Sequence, residues 1–242
     1  VPTALRPRIL LVQNDAASGP GRLIDWIADA GADSSLVAAH AGEPVPTDTA
    51  GYDAVVLLGG GLLPDEDERA PWLADERALT TRAVEDGTPL LGICLGGQLL
   101  AHTMGGTVRG NHGEPERGVT AISVRPEAAN DVLLQGLPAS VPAIESHRDA
   151  ITSLPPDAVW LASSDRCPYQ AFRCGSRAWG VQFHPEVSAE RIRTWDPQGL
   201  REQGFDPQDV VAQADLHDGE LARLWGGFVR RFLDLTRAPA TI

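Results

Sequence analysis

Two apolar patterns alternate along the first hundred residues. Arg8–Asn14 (RILLVQN), Ser35–His40 (SLVAAH), Tyr52–Gly61 (YDAVVLLGGG) and Pro89–Ile93 (PLLGI) are short runs rich in branched residues, with almost no polar interruption. Such runs predict buried strands. Between them the apolar positions fall at helical spacing. In Pro20–Ala32, Leu23, Ile24, Ile27 and Ala28 share a face, and Gly31 is a natural stop. In Pro71–Gly87, Pro71 suits the first turn, Leu73, Leu79 and Val84 supply the apolar face, and Gly87 ends it. Leu95–Gly106 reads as a third helix, stopped by Gly105 and Gly106. Strands without polar alternation, separated by helices, imply a parallel sheet covered on both faces.

From Thr107 to Phe183 the pattern changes to many short strand-like runs with turns between them: TVRG, VTAISV, VPAIESH, AVWLASS, YQAFRCG and AWGVQFH. This predicts a mainly antiparallel extension of the sheet. The tail, from about 188 to 242, returns to helix. Leu221, Leu224, Trp225, Phe228, Val229, Phe232 and Leu233 form one amphipathic face, while Trp195–Asp209 (WDPQGLREQGFDPQD) reads as a flexible loop. The 242 residues suffice for one α/β domain spanning 1–242.

Composition narrows the function. The net charge of −13 and scattered arginines argue against nucleic acid or an anionic membrane surface as a partner. There is no lysine among the 20 basic residues, which excludes a lysine Schiff base and a P-loop lysine. The Arg, Ala, Gly and Pro bias resembles that of high-GC bacterial genomes. Three cysteines form no disulfide framework. With no signal-peptide pattern and no bilayer-length apolar run, a cytoplasmic location is expected.

The chemistry centres on Gly92–Gln98 (GICLGGQ). A cysteine between a strand and a helix, with glycines two places before and two places after, marks a tight turn with no room for flanking side chains. That turn puts Cys94 off the carboxyl edge of the sheet, where open α/β folds bind ligands. The helix N-terminus favours the thiolate, and the Leu95 N–H would face an oxyanion formed by its attack. Cys167 and Cys174 lack such surroundings and read as small buried hydrophobes. A nucleophile needs a base. His184 ends an apolar run in GVQFHPEVS, and Glu186 two places on can accept from its second ring nitrogen.

Together, GICLGGQLLAHTMGG and GVQFHPEVS resemble the class I glutamine amidotransferases, over most of the chain. The resemblance implies a flavodoxin-like α/β fold and a Cys94–His184–Glu186 triad that cleaves a γ-glutamyl amide through a thioester. It implies a second oxyanion N–H from Gly60 in LLGGG, and a substrate contact from Gln98. Ser146–Asp149 (SHRD) is similar to the S-H-x-D stretch in the glutaminase part of GMP synthetase, which makes Ser146 and His147 substrate-binding candidates. The chain looks most like the stand-alone proteins of this group, and no metal or organic cofactor is implied. One departure concerns Gly61, which stands where the family often has proline, so a longer or looser loop is expected there. The acidic run Asp65–Glu68 that follows reads as a solvated surface.

Two fates for this chemistry are compatible with the residues. Glutamine is hydrolysed and its ammonia passes to a synthase partner, or the chain works alone on γ-glutamyl peptides or conjugates. A silent regulatory subunit would not need an intact triad. Proteins with a cysteine elbow and histidine directly after the cysteine are a poor match, since Leu95 occupies that place.

Overall fold

A computed structural model describes residues 6–237; the expected domain and tail limits at 1 and 242 lie outside them. In chain order the strands are β1 (Arg8–Gln13), β2 (Asp33–Ala38), β3 (Ala54–Leu57), β4 (Leu90–Ile93), β5 (Thr107–Arg109), β6 (Glu116–Val124), β7 (Ser140–His147), β8 (Ala150–Ser153), β9 (Val159–Ser163), β10 (Ala171–Cys174) and β11 (Ala178–Val181). The α-helices are α1 (Leu23–Asp29), α2 (Trp72–Asp86), α3 (Leu95–Thr103), α4 (Ala189–Ile192), α5 (Pro197–Glu202) and α6 (Pro207–Asp234).

Nine strands form one sheet in the order β2-β1-β3-β4-β11-β10-β9-β6-β7. The pairs from β2 through β4 to β11 are parallel, and those from β11 to β7 are antiparallel. The expected parallel core with an antiparallel extension is therefore present, with two amendments. The last strand, β11, does not extend the edge but inserts beside β4 in the parallel core. The run TVRG leaves the main sheet altogether and pairs as β5 with β8.

The parallel strands are apolar throughout because both sheet faces are covered. Along β1, Ile9 and Leu11 enter one core with α1 and α6, while Leu10 and Val12 enter another with α2. All seven apolar tail residues named from the sequence are buried on α6. That helix is longer than its amphipathic stretch suggested, running 28 residues. The expected flexible loop Trp195–Asp209 is instead α5 and the start of α6. Asp196 and Asp206 each cap a helix with proline in its first turn, accepting from Gln198 and Gly199 N–H, and from Gln208 N–H, respectively. Asp-Pro reads equally well as turn or helix start, and Leu200, buried against the core, decides for helix.

Candidate active site

The sheet order explains how residues 90 positions apart meet. β4 lies between β3 and β11, so three strand ends converge at one point: Gly59 and Gly60 after β3, Cys94 after β4, and His184 after β11. The β4–β11 register runs level to Ile93 and Val181, and the Cys94 N–H donates to the Val181 carbonyl at 2.8 Å.

Cys94 has φ 52° and ψ −108°, one of three non-glycine residues with positive φ among those described. A conformation this sparsely populated stores on the order of 1–3 kcal/mol, which surrounding packing must hold. The flanking glycines are what allow it. A Cβ on Gly92 would lie 2.3 Å from the Gly96 carbonyl oxygen, and one on Gly96 would lie 2.2 Å from that of Leu57. The chain turns so tightly that helix α3 starts directly against β3 and β4.

His184 is buried, and its Nδ1 lies 2.8 Å from Glu186 Oε1. A Cβ on Gly59 would meet His184 Cε1 at 3.0 Å and Cys94 Cβ at 3.5 Å, so this glycine sits in the angle between the Cys94 and His184 side chains. The His184 Nε2 is buried with no protein partner among the described residues. Burial pulls the imidazole pKa down, but Glu186 and the Cys94 sulfur outweigh it and hold the ring well above the usual 6.5. The surroundings thus favour the imidazolium form of His184.

Around Cys94 lies a cavity of about 470 Å³ lined by Gly60, Gln98, Asn111, Ser146, Asp149 and His184, among others. A Cβ on Gly60 would touch Leu95 Cδ2 at 3.0 Å, so the two residues expected to supply oxyanion N–H groups pack together at its edge. Leu95 opens α3, where a backbone N–H has no intrahelical acceptor. Gln98 is buried, and its Nε2 donates to the Asp149 carbonyl at 3.1 Å and to Gln182 Oε1 at 3.0 Å. Gln182 Nε2 in turn reaches Cys94 Sγ at 3.5 Å. Gln182 precedes His184 by two, the spacing that puts alternate residues of an extended chain on one side, and that spacing is its one signal in the sequence.

Ser146 lines the cavity and its hydroxyl accepts from the Arg117 guanidinium at 2.6 Å. His147 also lines this cavity. Its Nε2 lies 2.8 Å from Glu116 Oε2 and 3.4 Å from Glu145 Oε2, so the ring is tied to buried acids on its inner side. Glu145 is fully buried, its carboxylate oxygens without a hydrogen-bond partner among the described residues, and burial followed by the Glu116 charge pushes its carboxyl well above the usual range. Among the described residues, Glu116, His147 and Cys167 are the one trio with donor atoms close enough to share a metal, within 4.8 Å. Glu116 Oε2 is already engaged by His147 and by Gln170 Nε2, and burial drives the Cys167 thiol far up, which disfavours the thiolate that a metal would need. Cys174 is likewise buried, its thiol pushed up to about 12.

The acidic loop is neither loose nor simply solvated. Glu66 Oε2 accepts from the Leu63 N–H at 2.8 Å and its Oε1 from Arg69, while Asp67 takes a two-pronged bond from Arg77 at 2.6 and 2.8 Å. These contacts pin the segment after Gly61, and Glu66 and Arg69 line the Cys94 cavity.

Residues 21–197 match the glutamine amidotransferase class-I family. The chain is 34% identical over 187 residues to the GMP synthase (glutamine-hydrolyzing) of Streptomyces avermitilis, covering 77% of this chain and 34% of that protein. It is 35% identical over 135 residues to that of Streptococcus equi subsp. equi, covering 54% and 24%. The chain therefore spans about a quarter to a third of the length of these relatives. A solved glutamine amidotransferase from Thermotoga maritima superimposes with a TM-score of 0.86 at 25% identity, covering 95% of this chain and 99% of that one. A glutamine amido transferase from Methylobacillus flagellatus shares the fold, with a TM-score of 0.82 at 24% identity over 96% of each chain.

Proposed function

The chain belongs to the class I glutamine amidotransferases, and from that premise we propose that it hydrolyses a γ-glutamyl amide through a thioester on Cys94. Cys94 Sγ attacks the γ-carbonyl carbon, and the Gly60 and Leu95 N–H groups hold the oxyanion. The C–N bond breaks as His184 gives its proton to the departing amine. His184 then deprotonates water, which clears the thioester and frees the γ-glutamyl carboxylate. Glu186 holds the imidazole in orientation. Gln98, through Gln182, fixes the sulfur, and Ser146 faces the substrate. The observation that carries this reading is the convergence of a strained Cys94 and a Glu186-bonded His184 on one cavity.

Glutamine is the simplest such amide. The relatives named as glutamine-hydrolysing GMP synthases support it as substrate, with ammonia passed to a synthase partner in the cytoplasm. Among the described residues, no helix is long and apolar enough to cross a membrane. The test is release of ammonia and glutamate from glutamine by the purified chain, with a γ-glutamyl adduct on Cys94 read by mass spectrometry. Full activity in Cys94→Ala, or an adduct elsewhere, would overturn it.

A second reading, in which the chain acts alone on substituted γ-glutamyl amides, is favoured by one observation: a second, larger cavity also opens on His184.

A further inference from the structure

This second cavity has a volume of about 630 Å³. Its walls come from the loop Ala16–Gly21, the segment Glu186–Ser188 and the turn and helix between Thr194 and Gln203. They are tied to one another. The Arg22 N–H donates to the Glu186 carbonyl at 3.0 Å, its guanidinium pairs with Asp218 of α6, and Arg191 reaches the Ala17 carbonyl. Gly21 makes this approach possible, since a Cβ there would lie 2.3 Å from the Glu186 oxygen. Ser18, Arg117, Ser146 and His184 line both cavities, so the two meet at the imidazole.

An amide cleaved at Cys94 has two halves. The γ-glutamyl half stays on the sulfur, and the amine half must lie beside the group that protonates it, His184. Ammonia needs no room of this size. Val187, Trp195 and Leu200 give the cavity apolar wall, suited to the body of a larger amine. At its junction with the Cys94 pocket stands Arg117. Its Nε donates to Gln203 Oε1 at 2.8 Å and one terminal nitrogen to Ser146, and no carboxylate pairs with it among the described residues. A half-buried guanidinium held in place by neutral groups is a receptor for an anion.

We propose that this cavity is the leaving-group site and that it takes an amine with an apolar body and a carboxylate, as in a γ-glutamyl dipeptide, with Arg117 holding that carboxylate. The inference rests on the hydrolase reading above and deepens its second form, in which the chain acts alone on substituted γ-glutamyl amides. The reaction balances as before: the amide C–N bond breaks, the His184 proton goes to the amino acid nitrogen, and water restores Cys94.

The experiment compares kcat/KM for γ-glutamyl-phenylalanine, γ-glutamyl-phenethylamide, which lacks only the carboxylate, and glutamine. The dipeptide is expected to exceed both by about tenfold or more. Arg117→Gln should erase the preference over the phenethylamide. Ala17→Trp, placed on the exposed rim, should lower dipeptide turnover about tenfold more than glutamine turnover. Glutamine as the best substrate, or an equal loss on all three in Arg117→Gln, would overturn the proposal, the latter because Arg117 would then serve the γ-glutamyl half. Calorimetric binding of the same compounds to Cys94→Ala separates the two claims. A dipeptide preference in binding, with no turnover by the native chain, would support the site and sink the hydrolase reading. Glutamine turnover with no such preference would sink the site alone.

Discussion

Glu76 offers a test of how the oxyanion loop is held. It projects from α2, fully buried, with Oε2 accepting from Asn14 Nδ2 at 3.3 Å and Oε1 without a partner among the described residues. Asn14 also donates to the Leu58 carbonyl at 3.2 Å and accepts from Trp72 Nε1 at 2.8 Å, and its Cβ would lie 3.1 Å from a Cβ on Gly60. The acid therefore sits directly behind the residue that fixes the strand end before Gly60. Burial, only partly offset by Asn14, pushes its carboxyl from 4.5 up to about 8. The folded chain thus binds this proton more tightly than the unfolded one, and stability falls as pH rises between those two values. At about 1.4 kcal/mol per pKa unit the full loss above pH 8 is about 5 kcal/mol, of which about two-thirds falls between pH 5 and pH 8. Glu76→Gln has no proton to lose. Its unpaired amide N–H groups bring a penalty of about 1–3 kcal/mol that does not depend on pH. Urea melts of both chains at pH 5, 6.5 and 8 isolate the slope from that offset. The variant should gain on the native chain by about 3 kcal/mol across this range. A difference that stays constant with pH would refute the claim that Glu76 is held as a neutral acid.

Three further outcomes are expected. Cys94→Ala should lower turnover by roughly 10⁴-fold or more, since nucleophile and base act as a unit, whereas Cys167→Ala and Cys174→Ala should leave kcat nearly unchanged. Glu186→Gln should cost less activity than His184→Ala. Because Glu186 helps hold the imidazolium well above 6.5, its loss should also move the alkaline limb of the kcat/KM profile to lower pH; an unmoved limb would mean that His184 titrates independently of Glu186. Gly96→Ala places a Cβ 2.2 Å from the Leu57 carbonyl oxygen, so it should abolish soluble expression or unfold at a markedly lower temperature, and a variant as stable as the native chain would show that the elbow is less tight than described.

The chain's local physics determined most of the elements and the candidate catalytic centre. Uninterrupted branched runs fixed β1, β3 and β4 as strands with two covered faces, because burial on both sides leaves no position for a polar residue. The 3.6-residue stripe on α6 fixed which of its residues enter the core. Gly92 and Gly96 around Cys94 marked the elbow, because only a crowded backbone demands glycine at both places. His184 and Glu186 stood together in the chain and remain together in space. Partnership across the chain was decided by the tertiary structure alone. AWGV reads as a strand by its composition, yet nothing within it specifies β4 as its parallel neighbour, the pairing that brings His184 to Cys94. The ring of His147 turned inward because a buried acid, Glu116, comes from another strand. Trp195–Asp209 became helix because Leu200 found a core. Nothing in the spacing around Glu76 or Arg117 marks them, since a charge acquires meaning only from its surroundings: one is buried behind Asn14, the other stands between two cavities without a counter-ion among the described residues. Spacing records what each segment prefers by itself, whereas desolvation and pairing depend on segments that the fold brings together.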